Sequence, residues 1–181
     1  LHYHDLGPKL PSLMKFMKRV STGKQNDFSL KDFSYEKDIH KDGKIDQVIK
    51  PNQILLVQIV KEPISTKGPR ISSEISFAGR YLVLLPFSNK ISISQKIESR
   101  VEKERLKRLV KSIAPKGFGV IIRTVAKGQK VAELDRDLQN LYRKWEDVCK
   151  RIPNSHTPSK LLGEMNNCLL YTSDAADDLG R

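Results

Sequence analysis

The sequence predicts an α+β fold, on two observations. Short apolar runs bounded by Gly, Pro and polar turn residues fill positions 54–86: Ile54 to Val60, Ile71 to Phe77 and Arg80 to Pro86. Runs of that length between turn signals read as strands. Helical periodicity then takes over from Glu98, and the order strand, helix, strand, helix over 80–152 makes an α/β unit.

Each element has its own signal. Leu13, Met14, Phe16, Met17 and Val20 give a short helix within Leu10 to Val20. Ser21 to Asp27 reads as a loop and Lys41-Asp42-Gly43-Lys44 as a turn, so 20–47 is expected to be a mostly irregular insertion. Ile54 to Val60, apolar except for Gln58, predicts a buried strand. Thr66-Lys67-Gly68-Pro69-Arg70 is a basic turn, and in the return strand Ile71, Ile75 and Phe77 are interleaved with polar residues, as on a half-buried strand. Ala78-Gly79 punctuates before Arg80 to Pro86. Val101, Leu106, Leu109, Val110 and Ile113 share one face of a helix, with Ser99 as its N-cap and Pro115-Lys116-Gly117 as its stop. Phe118 to Thr124 is a strand. Leu134, Leu138, Leu141, Trp145, Val148 and Ile152 form one apolar stripe on a helix from Val131 to Ile152, which Pro153 ends. There is no internal repeat.

Lys+Arg number 33 against 21 Asp+Glu, a formal charge of +12 in 181 residues. Such an excess favours polyanionic partners through counterion release and long-range steering. It does not by itself choose RNA over DNA or anionic lipid. No apolar run approaches the roughly 20 residues needed to span a bilayer. Of the two cysteines, Cys168 lies in a C-terminal segment of doubtful origin; Cys149 alone gives no disulfide framework and suits a reducing cytoplasm.

Two places carry chemistry. A Lys on a tight turn, as at Lys67, offers a mobile ammonium to a phosphate, and Arg70 adds a planar fork; the plainer reading is a solvated hairpin turn. Arg123-Thr124 ends an apolar strand, where a guanidinium and a hydroxyl can hold a terminal phosphate; otherwise Arg123 is a strand-end surface charge. Other patterns fail. Asp38 to Lys44 mimics the start of a calcium loop, but Ile49 stands where a bidentate Glu is needed. His2 and His4 lack further metal ligands, and the alternating charges from Lys96 to Lys111 are those of a solvated helix face.

The segments KEPISTKGPR (61–70), EISFAGRYLVLLP (74–86), ISQKIES (93–99), GFGVIIRT (117–124) and SKLLGEM (159–165) together resemble the ribonuclease G/E family. The resemblance covers about 165 residues. It implies that 1–73 are the second part of an OB-type RNA-binding barrel, that 74–155 are the α/β sensor of the RNA 5′ end, and that 156–167 begin a link toward a ribonuclease-H-like subdomain. Arg123 and Thr124 match the family's 5′-monophosphate pocket, and Val83 the apolar residue beside the terminal nucleotide. Lys67 matches an RNA contact of the barrel, with Arg70 as a weaker candidate. Gln95 stands where the family usually has Arg, which leaves Lys96 as the basic residue there. The implied parent is a Mg²⁺-dependent, homo-oligomeric endoribonuclease acting on single-stranded RNA in processing and decay. Nothing before Asn167 matches its metal-binding Asp pair or its zinc-linking Cys pair, so no catalytic residue is assigned and this piece is expected to be inactive. The family's stacking aromatics fall before Leu1. The chain is therefore expected to be a fragment, and 168–181, worded like a translated sequencing adapter, to be a non-native tail. The alternative is a stand-alone, non-catalytic OB-fold RNA-binding protein; a basic domain for DNA or a membrane surface is the third class.

Overall fold

The computed structural model describes residues 2–25, 27–40 and 42–163. The adapter-like tail and the end of the 156–167 link lie outside them. The fold is mixed α and β, as expected. Helix α1 (Leu10–Ser21) is followed by β1 (Gln58–Lys61), β2 (Arg70–Ser72), β3 (Phe77–Ala78), β4 (Leu82–Pro86), β5 (Ile91–Ile93), α2 (Arg100–Ile113), β6 (Phe118–Ile122) and α3 (Val131–Arg151). Strands β1 and β2 form an antiparallel hairpin; the other four make a sheet in the order β3-β4-β6-β5. Only β5 and β6 run parallel, with α2 as the crossover that parallel strands require.

Register sorts the sheet into two faces, because directly opposed residues share a side. Phe77, Leu84, Val120 and Ile91 form one row, and Leu82, Ile122 and Ile93 the next. These rows meet α2 and α3. The opposite face carries Ala78, Val83, Ile121 and Ser92 in one row; Val83 is half-buried and Ile121 exposed.

Trp145 of α3 lies fully buried where the layers meet. Its ring centroid is 5.2 Å from Phe16 of α1, 5.9 Å from Phe87 and Phe118, and 6.3 Å from Phe77. Its indole N–H donates to the Phe28 carbonyl at 2.9 Å. Leu30 and Phe33 follow into the same core. The 20–47 stretch is thus irregular beyond α1, apart from a 3-10 turn at Ile45–Gln47, yet part of it is packed. The core also runs across the boundary expected at residue 73, since α1 shares it with the sheet.

Of the expected partial OB-type barrel the described residues show the β1–β2 hairpin alone, with no closed barrel. Several other expected elements are corrected. Ile54 to Val60 is not a buried strand. Pairing starts at Gln58, and Ile54 and Ile59 are 68% and 60% exposed, because no second layer covers this hairpin among the described residues. Ile71 to Phe77 divides between two sheets. Buried Ser73 turns aside to residues 5–7, donating its N–H to the Asp5 carbonyl and accepting the Gly7 N–H on its hydroxyl. The strand expected from Arg80 begins at Leu82, and the one expected to reach Thr124 stops at Ile122. Strand β5 was not expected, being three residues with a Ser at its centre. Helix α2 starts as expected, Ser99 Oγ accepting the Glu102 N–H at 3.3 Å, but Val101 is 77% exposed and off the apolar stripe.

Beside this cap, the Glu102 carboxylate takes both Nε and Nη2 of Arg105 at 2.7 and 2.8 Å and the Gly128 N–H at 2.8 Å. Arg105 Nη2 also reaches the Gln129 carbonyl at 3.1 Å. Gly128 has φ of 76°, a left-handed turn suited to glycine. The loop entering α3 is thereby tied to α2.

Two outcomes follow. Trp145→Ala should cost about 3–5 kcal/mol, a large part of a domain's stability, whereas Trp145→Phe, which leaves the Phe28 carbonyl without its donor, should cost about 1–3 kcal/mol. Denaturant unfolding checks both, and equal stabilities for wild type and Trp145→Ala would refute the role. The Arg105 hydrogen bonds, then the Gly128 N–H, hold the Glu102 carboxyl down at about 2. A depressed carboxyl stabilises the fold above its unfolded value of about 4.5 and loses that contribution as pH falls toward about 2. The Tm gap between wild type and Glu102→Gln should be flat from pH 7 to about 5 and close below that. A gap that does not change down to pH 3 contradicts it.

Candidate nucleic-acid interface

Arg123 is the first residue past β6. Its backbone N–H donates to the Tyr81 carbonyl at 2.9 Å, which keeps it registered with the start of β4. With φ −80° and ψ 162° it continues the extended chain, so it shares the open face with Ile121 and with Val83, the partner of Ile121. Its Nη1 donates to the Gly79 carbonyl at 2.6 Å. Thr124, exposed at the start of a 3-10 turn, places Oγ1 2.9 Å from Ser94 Oγ. Ser94 in turn donates its N–H to the Ile122 carbonyl at 2.9 Å. The three residues expected at the 5′ end, Arg123, Thr124 and Val83, therefore gather at one end of one sheet face.

Two further residues shape this end. Asp137 of α3 accepts the N–H groups of Arg80, Tyr81 and Leu82 at 3.1, 2.8 and 2.9 Å. Ser94 meets the Thr124 hydroxyl. Neither was singled out in the sequence. The available signal for Asp137 was a poor helix former held one position from the buried Leu138; for Ser94 it was the Ile-Ser-Ile-Ser alternation from Ile91. The Arg80 guanidinium lies 5.3 Å from the Tyr81 ring centroid, within cation–π range.

Lys67 and Arg70 sit elsewhere, on the β1–β2 hairpin. Lys67 is exposed and makes no ion pair among the described residues. Its N–H closes the tight turn onto the Ile64 carbonyl at 3.0 Å, so its ammonium, not its backbone, is what it offers a ligand. Arg70 is paired: its Nε and Nη2 lie 3.4 and 3.3 Å from Asp5 Oδ1. The His2 N–H and then Arg70 hold the Asp5 carboxyl below its usual range. An open depression of about 560 Å³ beside this pair is lined by His2, His4, Gly68, Pro69 and Ile71. Gln95 and Lys96, the point of departure from the family pattern, are both exposed.

No group of three or more His, Cys, Asp or Glu gathers to hold a metal ion among the described residues. Cys149 is buried, and burial pushes its thiol well above the usual range, as for an inert core cysteine. No helix among the described residues is long and apolar enough to cross a membrane.

Residues 76–179 match the model of the Ribonuclease E/G family. Ribonuclease G of Escherichia coli strain K12 is 39% identical over 133 residues, 74% of this chain and 27% of that protein. Ribonuclease E of Nostoc sp. strain PCC 7120 is 37% identical over 117 residues, 65% of this chain and 17% of the relative. Ribonuclease G of Salmonella typhimurium strain SL1344 is 33% identical over 165 residues, 91% of this chain and 31% of its own length. The chain thus spans between a sixth and a third of these curated relatives. A family match over more than half its residues, with relatives at 33–39% identity, places it: this chain belongs to the ribonuclease E/G family.

Proposed function

We propose that this chain is the RNA-binding, 5′-monophosphate-sensing part of a single-strand-specific endoribonuclease of RNA processing and decay. One observation carries the reading: Arg123, Thr124 and the apolar pair Val83–Ile121 meet at one open end of the sheet. A guanidinium has five N–H donors, and the Gly79 carbonyl engages one nitrogen. The remaining donors suit the oxygens of a terminal phosphate. The Thr124 hydroxyl, with Ser94 as one partner, keeps capacity for another. Val83 and Ile121 offer an apolar floor for a terminal base. A 5′-hydroxyl end would gain the floor but not the charge-assisted bonds, so the site discriminates by charge. Lys67, on the hairpin, would hold backbone phosphate and read no sequence.

The cleavage step, its Mg²⁺, a homo-oligomeric parent and a cytoplasmic setting belong to the same proposal at the level of the whole protein. Among the described residues no group of three or more His, Cys, Asp or Glu gathers to hold the ion, and no step of the sensing passes through it. The reading as a stand-alone OB-fold module has no closed barrel among the described residues to rest on.

Arg123→Ala should lower the preference for a 5′-monophosphorylated over a 5′-hydroxyl single-stranded RNA by about ten- to a hundredfold, the worth of one or two charge-assisted hydrogen bonds. Equilibrium binding of both RNAs to wild type and variant measures it, and a ratio untouched by the substitution sinks the sensor reading. General affinity should fall with salt, with a slope of log K on log salt near roughly −3 if about four phosphates are neutralised. Lys67→Ala should make that slope shallower by less than about one. An affinity constant across the titration would show that phosphate contacts do not carry the binding.

A further inference from the structure

We infer that Asp137 is a positioning residue for Arg123, acting through a single peptide group; the inference rests on the 5′-phosphate reading. The group is the one joining Gly79 to Arg80. Its carbonyl oxygen accepts Arg123 Nη1 at 2.6 Å, and its N–H donates to Asp137 Oδ1 at 3.1 Å. The peptide unit is planar, so fixing the direction of its N–H fixes the direction of its carbonyl. Asp137 is also kept in place. Its other oxygen, Oδ2, takes the Tyr81 and Leu82 N–H groups at 2.8 and 2.9 Å. A carboxylate pulling on the N–H polarises the amide and strengthens the carbonyl as an acceptor for the guanidinium.

The residue types at both ends fit this arrangement. A Cβ at Gly79 would lie 2.6 and 2.7 Å from the two Asp137 oxygens, so the chain comes this close to the carboxylate only with glycine there. The Gly79 N–H closes on the Leu82 carbonyl at 2.8 Å, which completes a turn with few free torsions. Asp137 makes its hydrogen bonds to the backbone of residues 80–82 and forms no ion pair with Arg123 among the described residues. Its contribution is to hold the anchor of the guanidinium and, through it, the geometry offered to the RNA end.

Asp137→Asn separates this role from a purely structural one. Its single carbonyl oxygen can retain Tyr81 and Leu82, while the amide NH₂ then faces the Arg80 N–H, and the Gly79–Arg80 peptide loses its restraint. The expected result is a three- to tenfold drop in the preference for 5′-monophosphorylated over 5′-hydroxyl RNA, about what one hydrogen bond is worth. Affinity for the 5′-hydroxyl RNA should stay within about twofold, since phosphate contacts elsewhere are intact. In an Arg123→Ala background the same substitution should leave the remaining preference unchanged, because residues acting in series are not additive. A preference retained by Asp137→Asn while wild type has one and Arg123→Ala loses it would overturn this inference and spare the sensor reading. A wild type with no preference would overturn both. Should Asp137→Asn fail to fold, wild type and Arg123→Ala carry the test by NMR. The Arg80 amide and the Asp137 carboxyl carbon should differ between the two proteins, and identical resonances would refute the coupling.

Discussion

The burial of one indole orders this molecule. Trp145 has Phe16 stacked at a tilt of 31° and the rings of Phe77, Phe87 and Phe118 edge-on, and it draws in the Phe28 carbonyl with its N–H. Aromatic pairs of this geometry add to area burial, and a buried indole N–H left without an acceptor is costly. Trp145 therefore joins three parts with no regular connection: α1, the irregular chain around Phe28, and the four-stranded sheet. The basic, weakly periodic start of the sequence packs here, Phe16 of α1 meeting the indole, Phe33 and Phe87.

The same helix connects the core to the proposed site. Asp137, Leu141 and Trp145 are spaced by four, so they lie along one side of α3. Eight residues of helix separate the indole from the carboxylate by about 12 Å along the axis. Locking Trp145 sets the rotation of α3, and that rotation aims Asp137 at the turn before β4. A second tie comes from α2, where Glu102 and Arg105 hold the loop 128–129 just before α3. The turn before β4 is thus held by α3, and the loop that enters α3 is held in turn by the Glu102–Arg105 pair.

What the sequence made legible was local. The α3 stripe, the Ser99 cap and the short central strands follow periodicity and turn chemistry, and the structure reproduces them to within a few residues. The Arg123-Thr124 pair was singled out by its place at the end of an apolar strand together with the family resemblance, and the structure sets it directly after β6. What escaped was decided by partners remote in sequence. Arg70 looked free until Asp5, 65 residues away, claimed its guanidinium. Ile54 to Val60 looked buried, since apolar content says nothing about whether a second layer exists to cover it. Leu30 and Phe33 lay in polar text and were drawn inward by the Trp145 contact with Phe28. Ser94 meets Thr124 through the register of β5 on β6, and Asp137 meets the turn before β4 through the packing of α3, and neither is visible until strand order and layers are known.

The charge of +12 says that this surface attracts anions, but not which cations are available to them. The partners decide. Arg70 and Arg105 are anchored by carboxylates, so much of the positive charge each would offer a phosphate is already balanced. Arg123 is anchored by the neutral Gly79 carbonyl. Such an anchor fixes the geometry of the fork without cancelling its charge, and an anion that reaches it displaces no carboxylate. On the reading proposed above, a guanidinium placed in this way would be preorganised for a phosphate. Asp137 sharpens the contrast: its negative charge is spread over three backbone N–H groups, one peptide unit away from the arginine it positions. Among the arginines weighed from the sequence, Arg70 is held by a counter-ion and Arg123 by a neutral carbonyl.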